Sequence, residues 1–272
     1  MTPGLQPENY GFLRDYVYRE SGIVLDGDKH YLLEARLMPI VSQMRLSTLN
    51  DLCAALRAGG SPADLKRQVV EAMTTNETFF YRDPAQYEAL RSVVLPPLIA
   101  QRGDTRTLSF WSAAASSGQE AYSLAMLLLD MGLGDWRIRI LGTDLSERIL
   151  ERARAGKYLQ IEVNRGLPVA ALIRHFERAG LDWQLKDEVR RMVQFKSFDL
   201  RQSMAALGPF DVVFCRNVLI YFDAETKKKI LDQIHGTLFR GGHLLLGGSE
   251  TTLNVTNRFE RKILAQTVLY QA

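Results

Sequence analysis

The sequence predicts an α/β fold: a mostly parallel sheet layered by helices, carrying a small antiparallel β insertion and preceded by an all-helical domain. Three observations predict it. Up to Val70, apolar side chains recur at helical spacing and no run alternates with period two. From Thr107 onward, short apolar runs alternate with helical patterns, which is the grammar of a parallel sheet with crossover helices. Between Tyr158 and Val193 that alternation breaks, and short strand-like pieces appear instead.

The elements follow in order. Tyr10, Leu13, Val17 and Tyr18 share one helical face, as do Leu33, Leu37, Ile40, Val41 and Met44. Leu49, Leu52 and Leu56, then Leu65, Val69 and Val70, continue the pattern. Gly22, Gly27, Gly59, Gly60 and Pro62 punctuate it. Pro84 is expected to open a helix through Leu90 and Leu95, ended by Pro96 and Pro97. Strands are expected at Thr107–Trp111, Ile138–Gly142, Met192–Phe195, Phe210–Cys215, Leu244–Gly247 and Thr267–Tyr270. Helices are expected at Glu120–Met131, Ser146–Ala155 and Ala224–Leu238. The last two strands are joined by a polar segment without a clear helix, which suits an antiparallel hairpin at the sheet edge. The insertion reads as a helix over Pro168–Phe176, then strands at Phe176–Gly180 and Trp183–Arg190. The expected divisions are 1–72 for the helical domain, 73–97 for a linker and connecting helix, and 98–272 for the α/β domain, with 158–193 inserted in it.

Composition narrows the function classes. A chain of 272 residues, 46% hydrophobic and 24% charged, can bury a substantial core. A formal charge of +3, with acids and bases balanced up to Val70, makes no strong electrostatic case for nucleic acid, which usually needs a concentrated basic face. Cys53 and Cys215 stand far apart without metal or disulfide spacing. His30, His175, His235 and His243 are scattered, so no metal site is read. Met1-Thr2-Pro3-Gly4 does not open a signal peptide, and no apolar run of about 18 residues exists to span a membrane. A cytoplasmic protein is expected.

Four constellations can carry chemistry. Ser112–Glu120 follows a strand, precedes a helix and is made of small side chains, so a ligand can approach its backbone closely. The same composition suits a plain tight turn. It lacks the GxGxxG pattern of dinucleotide oxidoreductases. Asp144 ends the next strand, where an acid can bind ribose hydroxyls or, alternatively, cap a helix. Asp199, after the third strand, can accept from an adenine amino group or be a solvated loop carboxylate. Phe210–Cys215 ends in Arg216-Asn217 at the position facing a methyl donor in methyltransferases of this architecture. Amine methyltransferases commonly carry Asn/Asp-Pro-Pro-aromatic there. Here Val218-Leu219 follow Asn217, which disfavours base or amine methylation. Cys215 reads as a buried structural thiol, Tyr221 alone as a core aromatic, and Lys227-Lys228-Lys229 as a solvated helix face.

Taken together, TTNETFFYRD (Thr74–Asp83), FWSAAASSGQEAYSLA (Phe110–Ala125), GTDLSERILERARAGKY (Gly142–Tyr158) and PFDVVFCRNVLIYFD (Pro209–Asp223) resemble the chemotaxis receptor methyltransferase family, CheR. The resemblance spans nearly the whole chain. It implies a class I, Rossmann-like domain that uses S-adenosylmethionine and yields S-adenosylhomocysteine. It implies donor contacts from Asn76, Thr78, Arg82, Glu120, Asp144, Asp199, Leu200, Arg216 and Asn217. It implies that Arg82 and Tyr221 flank the methyl group as catalytic residues. The implied substrates are glutamate carboxylates on the cytoplasmic bundle of chemoreceptors. A monomer without nucleic-acid partners or direct membrane insertion, open to a regulatory protein partner, is expected. Two departures stand out. The family's loop often reads Gly-Glu-Glu-Pro-Tyr-Ser, whereas this one reads Gly118-Gln119-Glu120-Ala121-Tyr122-Ser123. Some members carry a longer glycine-rich hairpin that grips a receptor peptide; here the turn Glu177–Leu181 is short.

An acceptor glutamate is ionised at neutral pH, with a pKa of about 4.3, so the reaction needs no general base. That agrees with the absence of an obvious His or Lys base in the motifs. Other readings compatible with the residues are a class I methyltransferase of another protein or small molecule, and a regulatory module that binds S-adenosylmethionine without turnover.

Overall fold

Apolar periodicity and turn residues decide where the chain is regular. The computed structural model describes residues 4–25, 27, 29–58, 63–264 and 266–272. Gly59, Gly60 and Pro62, the expected breakers, lie outside the described residues. The chain forms two units. One holds the residues up to Thr75 together with Tyr221–Asp223; the other holds Asn76–Ile220 and Ala224–Ala272.

The first unit is helical: α1 (Pro7–Ser21), α2 (His30–Gln43), α3 (Leu49–Arg57) and α4 (Ala63–Met73). Leu13, Val17, Leu33, Leu37, Leu52 and Val69 form its fully buried core. These are the positions at helical spacing in the sequence, because burying that stripe is what stabilises each helix. Thr48 and Asp51 make a reciprocal capping box at the start of α3. Tyr221 packs against this core, and its carbonyl accepts from Val24 N at 2.9 Å. Tyr18 Oη donates to Asp223 Oδ2 at 2.9 Å.

The second unit begins with the segment after Thr75 and then α5 (Pro84–Ala89), a π-helical turn (Leu90–Val94) and α6 (Leu95–Gln101). Pro96 and Pro97 were expected to end this helix. They instead occupy the first turn of α6, just after the π-turn. In the first turn a missing N–H costs little, and the wider turn before it relieves the ring clash.

The sheet contains β1 (Thr107–Ser112), β2 (Arg137–Asp144), β6 (Val193–Ser197), β7 (Phe210–Cys215), β8 (Leu238–Leu246), β9 (Glu260–Leu264) and β10 (Thr267–Gln271). Its order is β6-β2-β1-β7-β8-β10-β9. The first five run parallel, and β10 pairs antiparallel with both β8 and β9. Helices α7 (Gln119–Asp130), α8 (Glu147–Ala155) and α12 (Ala224–Thr237) make crossovers. The polar connection between β8 and β10, expected to lack a clear helix, carries the additional strand β9, which the sequence reading did not include. Its Glu-Arg-Lys-rich sequence hides it from hydrophobic patterning, and it lies on the sheet edge, where charge is tolerated and protects against further pairing.

The insertion is a three-stranded antiparallel sheet of order β3-β5-β4, from β3 (Lys157–Tyr158), β4 (Phe176–Ala179) and β5 (Asp182–Leu185). Short helices α9 (Gln160–Asn164), α10 (Val169–His175) and α11 (Asp187–Arg190) complete it. The expected strand Trp183–Arg190 is therefore split. Asp187 and Glu188 favour a helical first turn over continued pairing. Among the described residues no helix is long and apolar enough to cross a membrane.

The insertion grips the segment that leads into α5. Phe80 is fully buried, edge-on to Tyr158 at 4.9 Å and to Phe176 at 5.6 Å between ring centroids. Gly166 has φ of +82°, and a Cβ there would lie 2.1 Å from the Phe80 carbonyl oxygen. Only glycine fits that approach. Phe80→Ala should therefore lose about 3–5 kcal/mol of stability. Gly166→Ala should destabilise by at least about 1–3 kcal/mol through the backbone strain alone. Urea unfolding of both variants checks this, and wild-type midpoints would show that the insertion does not hold the segment.

Candidate functional site

Parallel strands align their carboxyl ends, and loops leave from there. Ser112 of β1 pairs in register with Gly142 and Phe214, Asp144 of β2 with Ser197, and Cys215 of β7 with Leu246. Strand β1 lies between β2 and β7, so the chain's connections diverge there. The crevice beyond the carboxyl ends of such strands is where open α/β sheets bind ligands. The sequence-selected groups sit on these loops: Ser112–Glu120 after β1, Asp144 at the tip of β2, Asp199 and Leu200 after β6, and Arg216 and Asn217 after β7.

One knot of charge ties two of these loops to the segment that leads into α5. Arg216 Nη1 donates to Glu120 Oε2 at 2.9 Å. Its Nη2 donates to Asp83 Oδ2 and to the Arg82 carbonyl, both at 2.6 Å. Ser112 Oγ donates to the other Glu120 oxygen at 2.6 Å. The Arg216 side chain is 1% exposed. Burial works against its charge, but Glu120 foremost, with Tyr87 and Asp83, outweighs that and holds it more firmly protonated than a free guanidinium. The Arg216 Nε is buried and has no partner among the described residues.

A second chain of contacts runs through Ser116. Its backbone N donates to Asp144 Oδ2 and its Oγ donates to the Asn76 carbonyl, both at 2.9 Å. Asp144 Oδ1 accepts from Ser146 N at 3.0 Å. The helix cap itself is Ser146, whose Oγ accepts from Ile149 N at 3.3 Å. Asp144 is therefore not the N-cap; its buried carboxylate ties the loop after β1 to the tip of β2.

The remaining candidates are placed as follows. Arg82 is half-buried; its Nη1 donates to the Glu77 carbonyl at 3.3 Å and its guanidinium stands 5.5 Å from the Phe79 ring centre. Arg165 covers the same ring at 4.5 Å and pairs with the Glu77 carboxylate at 2.6 Å. That hydrogen bond lowers the Glu77 pKa, and the nearby charges of Arg165 and Arg82 add to the effect. Asp199 is held by Arg201 through Nε and Nη2, at 3.0 and 2.7 Å. Leu200 is buried, and Thr78 and Asn217 are half-buried. Tyr221 belongs to the helical unit. Cys215 is fully buried, and desolvation, with Glu250 and Glu120 nearby, pushes its thiol far above the usual range, so it is no nucleophile.

Strain gathers at the same place. Tyr81, Asp83, Ser116 and Asn217 have φ of 50°, 58°, 50° and 56°. Each such non-glycine costs roughly 1–3 kcal/mol and persists only where its surroundings over-determine it. Asp83 and Glu250 were not singled out by sequence. Asp83 was read only as the last residue of the Thr74–Asp83 stretch, and Glu250 was not read at all. Their partners lie 133 and 33 residues away along the chain, so no local pattern announces them.

The groups fit an S-adenosyl donor. Its ribose hydroxyls need acceptors, and a carboxylate, that of Asp144, stands at the tip of β2. Its amino-acid carboxylate needs a donor, and the orphaned Arg216 Nε is one.

Comparisons with known proteins point the same way. The family description "CheR methyltransferase, SAM binding domain" matches residues 76–268, and "CheR methyltransferase, all-alpha domain" matches residues 8–74. The chain is 41% identical to chemotaxis protein methyltransferase 1 of Pseudomonas aeruginosa, over 97% of each protein. It is 39% identical to a chemotaxis protein methyltransferase of Vibrio parahaemolyticus, over 98% of each. It is 40% identical to chemotaxis protein methyltransferase 1 of Vibrio cholerae, over 94% of each.

Glu120 and Arg216 should be energetically coupled. In a cycle of Glu120→Ala, Arg216→Ala and the double variant, urea unfolding should give a coupling of about 0.5–3 kcal/mol. Additive losses would mean that the buried pair does not act as a unit.

Proposed function

The chain belongs to the CheR methyltransferase family and is an S-adenosylmethionine-dependent methyltransferase of chemotaxis; from that premise we propose that it esterifies glutamate side chains on the cytoplasmic bundle of chemoreceptors. The observation that supports this acceptor best is Arg82. Its guanidinium makes one long hydrogen bond to a carbonyl and no ion pair among the described residues, in a segment that contacts the donor-side loop through Asn76 and Ser116. A planar fork with free donors is a bidentate match for a carboxylate.

S-adenosylmethionine supplies a methyl carbon already activated on a sulfonium. The protein's task is then positioning, which can contribute roughly 7–11 kcal/mol to such a displacement. Asp144 binds the ribose hydroxyls, while Asn76, Thr78, Glu120, Asp199, Leu200, Arg216 and Asn217 complete the donor pocket. Arg201 has to share or release Asp199 if that carboxylate is to meet an adenine amino group. Arg82 orients the acceptor carboxylate and Tyr221 fixes the geometry with a hydrogen bond. The carboxylate loses its charge as the ester forms, so a very tight ion pair with Arg82 would stabilise the ground state and slow the reaction. A single loosely held guanidinium suits orientation without that penalty.

The decisive assay incubates the enzyme with methyl-labelled donor and receptor-bearing membranes. Base-labile label on mapped receptor glutamates is expected; label confined to other residues or to small molecules would refute the acceptor. Arg82→Ala should reduce turnover more than donor affinity. Calorimetry showing affinity lost in proportion to rate would assign Arg82 to donor binding instead. Asp144→Ala removes charged hydrogen bonds worth about 1.5–3 kcal/mol each, so donor affinity should fall at least about tenfold. Unchanged affinity would displace Asp144 from the ribose site.

A further inference from the structure

After β8 the chain reverses within Gly247-Gly248-Ser249-Glu250, where Glu250 N donates to the Gly247 carbonyl at 2.9 Å. The turn delivers the Glu250 carboxylate onto the loop that follows β7. Oε2 accepts from Asn217 N at 2.7 Å and from Gly247 N at 2.8 Å. Oε1 accepts from Val218 N at 2.9 Å, Leu219 N at 2.8 Å and Ile220 N at 3.4 Å. One side chain thus satisfies the backbone donors of a segment that has left the sheet and has not yet entered α12. Hydrogen bonds to a carboxylate are roughly twice as strong as neutral ones, and unmet buried donors are costly.

A second observation concerns the same space. A Cβ on Gly247 would lie 2.6 Å from Asn217 Nδ2 and 2.8 Å from Glu250 Oε2. The missing side chain at Gly247 is what admits both the carboxylate and the Asn217 amide. Asn217, in its left-handed conformation, gives its backbone N–H to Glu250 and has its side-chain amide beside Gly247.

We propose that Glu250 is a positioning residue for methyl transfer: it sets the backbone of Asn217–Leu219, and through it the Arg216-Asn217 wall of the donor pocket. The proposal rests on the reading of Arg216 and Asn217 as donor-binding groups. Glu250 need not touch the donor; it acts through the loop it holds.

The test uses the full chain and S-adenosylhomocysteine as the probe. Calorimetric Kd is measured for wild type, Glu250→Gln, Glu250→Asp and Gly247→Ala, with thermal unfolding in parallel. Glu250→Gln keeps the shape but replaces one acceptor oxygen by an N–H donor. Its Kd should rise about tenfold, the scale expected when a partner supporting a ligand-binding group is lost. Glu250→Asp, one methylene short, should shift Kd the same way. Gly247→Ala should do so with the carboxylate intact, because it displaces Glu250 and Asn217. With receptor membranes, the donor KM should rise more than kcat falls. A folded Glu250→Gln protein with lowered Tm but wild-type Kd and KM would overturn the proposal, since Glu250 would then only stabilise the fold. If that variant does not fold, Gly247→Ala decides, and wild-type affinity there overturns it equally. A wild type that binds the probe yet labels no receptor glutamate sinks the acceptor assignment and leaves the Glu250 comparison readable.

Discussion

The arrangement of the site depends on one buried guanidinium. Arg216 lies at the end of a strand whose residues are all buried, and its side chain is almost completely out of water. A charge in that position is tolerable only if paired, and removing one partner of such a pair typically costs several kcal/mol. Glu120 from the first turn of α7 and Asp83 from the start of α5 supply the pairing. The demand for neutralisation therefore fixes where the segment after Thr75 meets the sheet. The positive-φ backbone at Tyr81, Asp83, Ser116 and Asn217 is the geometric consequence, because the chain must turn sharply to bring these groups together.

Around that knot the site is built from carboxylates that grip backbone. Asp144 holds Ser116 and Ser146, and Glu250 holds the loop after β7. Each joins segments distant in sequence through N–H groups that have no sheet or helix partner. This combination ties the loops after β1 and β7 to their neighbours through carboxylates that accept from backbone N–H groups. An S-adenosyl donor, with ribose hydroxyls, an adenine and a zwitterionic amino acid, needs such a mixed set of acceptors and donors.

Much of this was legible in the sequence for definite reasons. The buried strands Thr107–Ser112 and Phe210–Cys215 are short apolar runs bounded by turns, and their ends could be read to within one residue. The loop candidates followed because ligands gather at the carboxyl ends of parallel strands. Strand β9 was not legible, since an edge strand need not be apolar. The prolines at 96 and 97 misled because their effect depends on whether they fall inside a helix or in its first turn.

The sequence by itself determined the alternation of strands and helices, the helical N-terminal unit, the family and the loops that carry the candidate site residues. These depend on local periodicity and on contiguous motifs, which a chain displays without folding. Only the tertiary structure decided which groups in those loops are paired with one another. Ser112–Glu120 looked like a turn of small residues; folded, its Glu120 is committed to Arg216 and its Ser116 to Asp144 and Asn76. Ion pairing and carboxylate-to-backbone capture act through space between residues far apart in sequence, so their partners are set by the fold and not by spacing along the chain.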